Sequence, residues 1–246
     1  MTSRRGPIAC FVTGTDTGVG KTHASATLLH ALRAAGHRAV GMKPVASGSE
    51  WRGDHWHNDD VAQLREASAV DVPQALTCPF LLRTPASPHL AAAIEGARIT
   101  REPIRAAFAA LQAQADAVVV EGVGGFRVPL DGAPREEGGW DTADLAAMLG
   151  LPVLLVVGIR LGCISHALLT AEAVRARGLH LAGWIANRID PAMDLADENI
   201  DTLRGALGVP CLGTLPWQSA PADAASQLAL APLLSACRAG ATGPAA

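Results

Sequence analysis

The segment Gly14-Thr15-Asp16-Thr17-Gly18-Val19-Gly20-Lys21-Thr22 stands between a short apolar run, Ile8 to Thr13, and a stretch with Ala24, Leu28, Ala31, Leu32 and Ala35 on one helical face. That context demands a buried strand that turns abruptly into a helix. Small residues in the turn let successive backbone N–H groups converge on phosphate oxygens, and the helix N-terminus adds partial positive charge. Lys21 is then placed to reach β- and γ-phosphates and the Thr22 hydroxyl to ligate Mg²⁺. The usual spacing leaves four residues between the two motif glycines. Here Gly14 and Gly20 enclose five, and Thr15 takes the standard glycine position. The segment reads as a variant phosphate-binding loop. It says nothing of what is done with the phosphate.

The rest of the chain alternates in the same manner. Apolar runs at Arg38–Met42, Ala117–Val120, Val153–Val157, Leu181–Ala186 and Cys211–Leu215 read as strands, the last ending the series. Helices are expected over Asp59–Glu66, Pro88–Glu95, the Ile104/Ala107/Phe108/Leu111 stripe, and Asp141–Leu149 with Asp141 or Thr142 as cap and Gly150 as terminator. Two further stripes are Ala167/Leu168/Ala171/Val174 and Ala196/Ile200/Leu203/Leu207. Residues 46–58 and 122–139 read as loops. Strands that are apolar throughout and separated by crossover helices imply a mostly parallel sheet with helices on both faces, an α/β fold of the P-loop NTPase kind. One domain over residues 1–237 is the economical reading, with 238–246 as a disordered tail. Ligands in such folds sit at the carboxyl ends of the strands.

Composition narrows the function classes. Twenty Lys and Arg against 23 Asp and Glu give a net charge of −3, so no basic excess marks a nucleic-acid or membrane-surface binder. The five cysteines (10, 78, 163, 211 and 237) lie outside metal-ligand and CxxC spacing and read as reduced thiols of a cytosolic protein. The apolar run after the basic start breaks at Thr13, too early for a signal peptide or span. The expectation is a soluble, cytoplasmic protein.

The loop is one of several blocks through which the chain resembles dethiobiotin synthases. The others are Gly41-Met42-Lys43-Pro44-Val45-Ala46-Ser47-Gly48, Asn58-Asp59-Asp60, Ser87-Pro88-His89, Val120-Glu121-Gly122-Val123-Gly124-Gly125, Val156 to Ile164, Gly183-Trp184-Ile185-Ala186-Asn187 and Leu215-Pro216-Trp217. Spread in order from residue 11 to about 218, they make the match far more specific than the loop alone. The resemblance implies a reaction in which 7,8-diaminononanoate, CO₂ and ATP give dethiobiotin, ADP and phosphate through a carbamate and a carbamic–phosphoric anhydride. It also implies ATP as co-substrate, Mg²⁺ as cofactor, and a homodimer with shared active sites.

Residue by residue, the resemblance assigns Lys21, Lys43 and Thr17 to catalysis, and Thr22, Asp60 and Glu121 to the metal. It assigns the nucleotide to Gly18, Val19, Gly20, Lys21, Thr22, His23, Asp60, Glu121, Gly122, Val123, Gly124, Asn187, Arg188, Pro216, Trp217 and Gln218. The substrate falls to Ser47 and, from the neighbouring subunit, to Gly162, Cys163 and Ile164. The residues alone leave plainer readings open. Lys43 could snorkel to water, and Ser47 could cap a turn. Asp60 could cap a helix, Glu121 could mark where the sheet meets solvent, and Trp217 could be core.

Departures matter as well. Gly18 stands where some relatives carry Glu, Arg160 stands where a Lys is familiar, and the bulky 51–57 segment has no family meaning. Its His55 and His57 read as a surface pair rather than a metal site. Three rivals are weighed. A cobyrinate-type amidoligase would carry a glutamine-hydrolysing domain, which nothing after residue 220 supplies. A partitioning ATPase would have an early lysine where this chain has Thr15. A small-molecule kinase would release a phosphorylated product.

Overall fold

The computed structural model describes residues 8–240. Its first unit is β1 (Ile8–Gly14), the phosphate-loop turn and α1 (Lys21–Ala34), followed by β2 (Ala39–Met42). A polar region carries β3 (Val45–Ala46), β4 (Glu50–Arg52), β5 (His55–His57), α2 (Asp59–Ala67), α3 (Gln74–Thr77), β6 (Phe80–Leu81) and α4 (Pro88–Ile94). Then come α5 (Arg101–Gln114), β7 (Ala117–Glu121), α6 (Thr142–Leu149), β8 (Val153–Ile159), α7 (Cys163–Ala176), β9 (Leu181–Arg188), α8 (Ala196–Ala206) and β10 (Cys211–Leu215). The described residues close with α9 (Pro221–Ala224) and α10 (Ala231–Gly240).

Six strands pair in the order β10-β9-β8-β1-β7-β2, every pair parallel. Alternation along each strand explains the two cores. Ala9 and Phe11 of β1 face one side with Val118, Val120, Leu155 and Trp184, against α5 to α8; Cys10 and Val12 face the other with Val119, Leu154 and Ile185, against α1, α2 and α10. Because all six strands run the same way, Gly14, Met42, Glu121, Ile159, Arg188 and Leu215 end at one edge, and the site lies there. Among the described residues no helix is long and apolar enough to cross a membrane.

Two expectations are corrected. Residues 46–58 are not a structureless loop: β4 and β5 form an antiparallel hairpin with Trp51 opposite Trp56. Their rings meet edge-on at 5.4 Å, Arg83 lies over Trp56, and Gly53 at φ 64° makes the reversal. Within it His55 pairs with Asp54, and His57 reaches Asp59 at the start of α2. Leu215 does end the strand series, but helices follow it that were not expected. α10 buries Leu233, Ala236 and Cys237 against the sheet and continues through Arg238 to Gly240, past the expected start of the tail. Residues 241–246 lie outside the described residues.

The long Gly/Pro-rich loop after β7 is held by ions. Asp141 and Asp144 form a reciprocal capping box at the head of α6. Arg135 grips Asp144 with two N–H groups at 2.8 and 3.0 Å, Arg177 adds a third at 2.7 Å, and Arg127 donates to Asp141 at 2.7 Å. Burial opposes the Asp144 charge, yet the Arg135, Asp141 and Arg177 hydrogen bonds outweigh it and hold the carboxyl well below its usual range. A depressed carboxyl contributes stability that is present above its unfolded value and lost as pH falls. Asp144→Ala is therefore expected to lower stability at pH 7 by about 1 kcal/mol in thermal melts, with the gap to the parent narrowing below about pH 4. A gap independent of pH would remove the charge from the account.

Candidate active site

The phosphate loop is shaped by close approaches that only glycine permits. Gly20 has φ 79°, and a Cβ there would lie 2.0 Å from Asn187 Nδ2. Asn187 donates from that nitrogen to the Val19 carbonyl at 2.9 Å, so the end of β9 clasps the loop from behind. Val19 itself is buried, and its side chain packs against Gly158 at the end of β8. Asp16 accepts from Arg160 at 2.8 Å and from the Thr17 backbone N–H at 2.7 Å, tying the loop to the turn before α7. Arg160 thus keeps a cation beside the phosphate loop.

In front of the loop is a cavity of about 750 Å³. The first strand–helix unit supplies Thr17, Gly18, Gly20, Lys21, Thr22 and His23. Lys43 and Ser47 reach it from the segment after β2, Asp60 from α2, and Glu121, Val123 and Gly124 from the end of β7. So the structure brings together twelve of the residues singled out in the sequence. Gln63, Val128 and the Pro85-Ala86-Ser87-Pro88 wall complete the lining and were not assigned. The Ser87-Pro88 block was itself a signal for the wall; Gln63 could have been found one turn beyond Asp60.

Charge is concentrated at the cavity floor. Lys43 Nζ lies 2.5 Å from Asp60 Oδ2 and 2.7 Å from Glu121 Oε1. Thr22 Oγ1 donates to the same Glu121 oxygen at 2.8 Å. Glu121 is fully buried (0% exposed), and its second oxygen, Oε2, has no partner among the described residues. Burial works against the Lys43 ammonium, but Glu121 and Asp60 outweigh it and raise its pKa above the ordinary lysine value. The two carboxylates thus favour the charged form of Lys43. Asp60 is likewise resisted by burial yet lowered by Lys43. Lys21 moves the other way: burial, followed by the opposing pull of Glu121 and the repulsion of Lys43, lowers it to about 8. Its ammonium donates to the Asp16 carbonyl at 2.9 Å.

The remaining expected residues lie outside this lining. Asn187 and Arg188 end β9, with Arg188 paired to Asp197. Pro216, Trp217 and Gln218 form the turn after β10, where Trp217 is 43% exposed rather than core. Gly162, Cys163 and Ile164 open α7, beyond the cavity of their own chain.

Comparison with known proteins shows the family. The AAA domain family matches residues 9–224. The ATP-dependent dethiobiotin synthetase BioD of Aromatoleum aromaticum is 58% identical over 91% of this chain and 98% of its own length. The chain belongs to the ATP-dependent dethiobiotin synthetase family. The corresponding synthetase of Ralstonia nicotianae is 55% identical over 92% of this chain and 97% of its own. Among solved structures, the signal recognition particle receptor FtsY from Elizabethkingia anophelis in complex with GDP covers 96% of this chain and 65% of that one. At 15% identity and a TM-score of 0.51 it shares the fold alone. As a dethiobiotin synthetase family member the chain is an enzyme of the ligase class, and its P-loop architecture is the one expected from the sequence.

Proposed function

We propose that the chain carboxylates 7,8-diaminononanoate and closes it to dethiobiotin at the expense of ATP, as a step of biotin biosynthesis. The observation that carries this reading is Lys43: an ammonium at the floor of one cavity, paired with Glu121 and beside the phosphate loop and Ser47. An ammonium there can neutralise a carbamate oxygen and a γ-phosphate at once, which is what coupling the two requires.

The chemistry then runs in three bonds. One substrate amine adds to CO₂ and loses a proton, giving a carbamate. A carbamate oxygen attacks the γ-phosphorus, and the bond to ADP breaks. The second amine attacks the carbonyl carbon and gives up a proton, phosphate leaves, and the cyclic urea closes within one bound molecule. Phosphoryl transfer leaves little covalent work for the protein, so positioning and charge neutralisation dominate. Lys21 and the loop amides hold the β- and γ-phosphates, Thr17 and Ser47 orient the carbamate, and Lys43 balances the charge that builds between them. Asn187, Arg188 and the Pro216–Gln218 turn hold the base.

Thr22, Asp60 and Glu121 fit Mg²⁺: two carboxylates and a hydroxyl are the hard oxygen set it takes beside phosphate, and the orphaned Glu121 Oε2 is a donor in want of a cation. When bound there, the ion would screen the triphosphate charge.

A homodimer is part of the proposal. Leu161 (89% exposed) and Leu169 (61%) leave an apolar face on and beside α7, next to the Gly162–Ile164 segment that a second copy would receive at its substrate carboxylate. Incubation with 7,8-diaminononanoate, bicarbonate and MgATP, followed by mass analysis, is expected to give the cyclic urea with one phosphate released per ring. ATP consumption without that product would sink the assignment, and sedimentation as a monomer would remove the shared site.

A further inference from the structure

His23 does something the loop motif does not require. Any residue after Thr22 can offer its backbone N–H to a phosphate, yet this one sends its imidazole across to the turn after β10. Nε2 lies 2.7 Å from the Ser219 carbonyl oxygen and 3.4 Å from Ser219 Oγ. A carbonyl oxygen only accepts, so Nε2 carries the hydrogen. The other ring nitrogen, Nδ1, is buried without a partner among the described residues. Leaving a buried polar atom unsatisfied costs about 1–3 kcal/mol. The fold carries that cost at a ring whose hydrogen bonds, among the described residues, run to Ser219.

Ser219 in turn closes the segment before it. Its Oγ donates to the Pro216 carbonyl at 3.1 Å, and its N–H points at the same oxygen at 3.4 Å. Between them Gln218 has φ 50°, a left-handed conformation that costs a residue with a side chain roughly 1–2 kcal/mol. Trp217 projects beside it. The turn is thus strained and exposed, and His23 joins it to the first turn of α1, whose neighbours Lys21 and Thr22 face the cavity.

We infer that the His23 imidazole is a positioning residue that locks the Pro216–Ser219 turn to the phosphate loop, and so sets how much affinity a nucleoside adds to that of its triphosphate. The inference rests on the proposed base-holding role of that turn. It extends it by naming the side chain on which the turn depends. Phosphate and base sites joined by one hydrogen bond present a preorganised pair, and loosening one end charges the ordering cost to binding.

The test compares MgATP with inorganic tripolyphosphate, which has no base, as ligands of the wild-type chain, His23→Ala and His23→Gln, by calorimetry. Thermal melts check that each variant is folded. Loss of about one hydrogen bond predicts MgATP binding to His23→Ala weakened about fivefold, with tripolyphosphate within about twofold of wild type. His23→Gln, whose amide N–H can again donate to Ser219, recovers most of the loss. The KM for ATP rises in His23→Ala with little change in kcat. Equal weakening of both ligands would place the ring in support of the phosphate loop and overturn the inference. Unchanged MgATP affinity in His23→Ala, in a chain that prefers MgATP to tripolyphosphate, would overturn it too while leaving the base-holding turn intact. A wild-type chain that binds the two ligands equally would overturn both.

Discussion

Lys21→Met is expected to weaken MgATP binding by about 100-fold or more, corresponding to roughly 2.7 kcal/mol, while the ligand-free chain melts no lower than the parent. The two halves of this result come from the same geometry. In the ligand-free site the Lys21 ammonium is buried, repelled by Lys43, and held by the Asp16 carbonyl. Its lowered pKa records an environment that does not favour the charge. Methionine keeps the apolar stem, which fills the space beside Gly14, and removes the poorly served charge. Triphosphate is the partner that the ammonium lacks. A residue kept for ligand rather than fold loses function without losing stability, and the reverse pattern is the rule for core side chains. Calorimetry with MgATP beside thermal melts reads both halves. A variant that melts several degrees lower would mean that Lys21 serves the fold, and the loop would have to be reconsidered as a structural turn.

What could be read from the sequence follows from how local each signal is. β1 and α1 were legible because an unbroken apolar strand, a glycine-rich turn and a helical stripe are contiguous, and the physics of a phosphate cradle requires all three together. Glu121 was legible by its place at the end of Ala117–Val120 with glycines after it. The Trp51–Trp56 hairpin was not, since strands of three residues show no period and the pairing that makes them strands is across the turn, not along the chain. α10 was hidden by its composition: Ala and Gly beside Arg238 resemble a solvated tail, and only the sheet face opposite reveals Leu233, Ala236 and Cys237 as a buried stripe. The same limit applies to the site. Lys43 and Asp60 could each be named, but their 2.5 Å contact depends on α2 folding back over β2, and no residue near either one encodes that distance. His23 illustrates the extreme, since its partner Ser219 is distant in sequence and is reached only because β1 and β10 end at the same edge of the sheet.

Lys43→Met is expected to differ from Lys21→Met on every axis but activity. Turnover should fall by about 1,000-fold, because the charge opposing the carbamate and γ-phosphate is gone. MgATP binding should persist, because Lys21 and the loop amides remain. The ligand-free chain should lose about 3 kcal/mol of stability, since Glu121 is fully buried, leans on Lys43 and Thr22 through one oxygen, and has no partner at the other. A buried carboxylate stripped of its cation is the costly half of a broken pair. Two further measurements separate this account from simple cavity formation. Adding Glu121→Gln to Lys43→Met removes the uncompensated charge and should restore much of the melting temperature without restoring turnover. Mg²⁺ alone should raise the melting temperature of Lys43→Met more than that of the parent, because Asp60 and Glu121 are then free of the ammonium that competes for them. If the double variant is no more stable than the single one and Mg²⁺ acts on both chains alike, the ammonium and the two carboxylates do not act as one charge cluster, and the floor of the cavity has been misassigned.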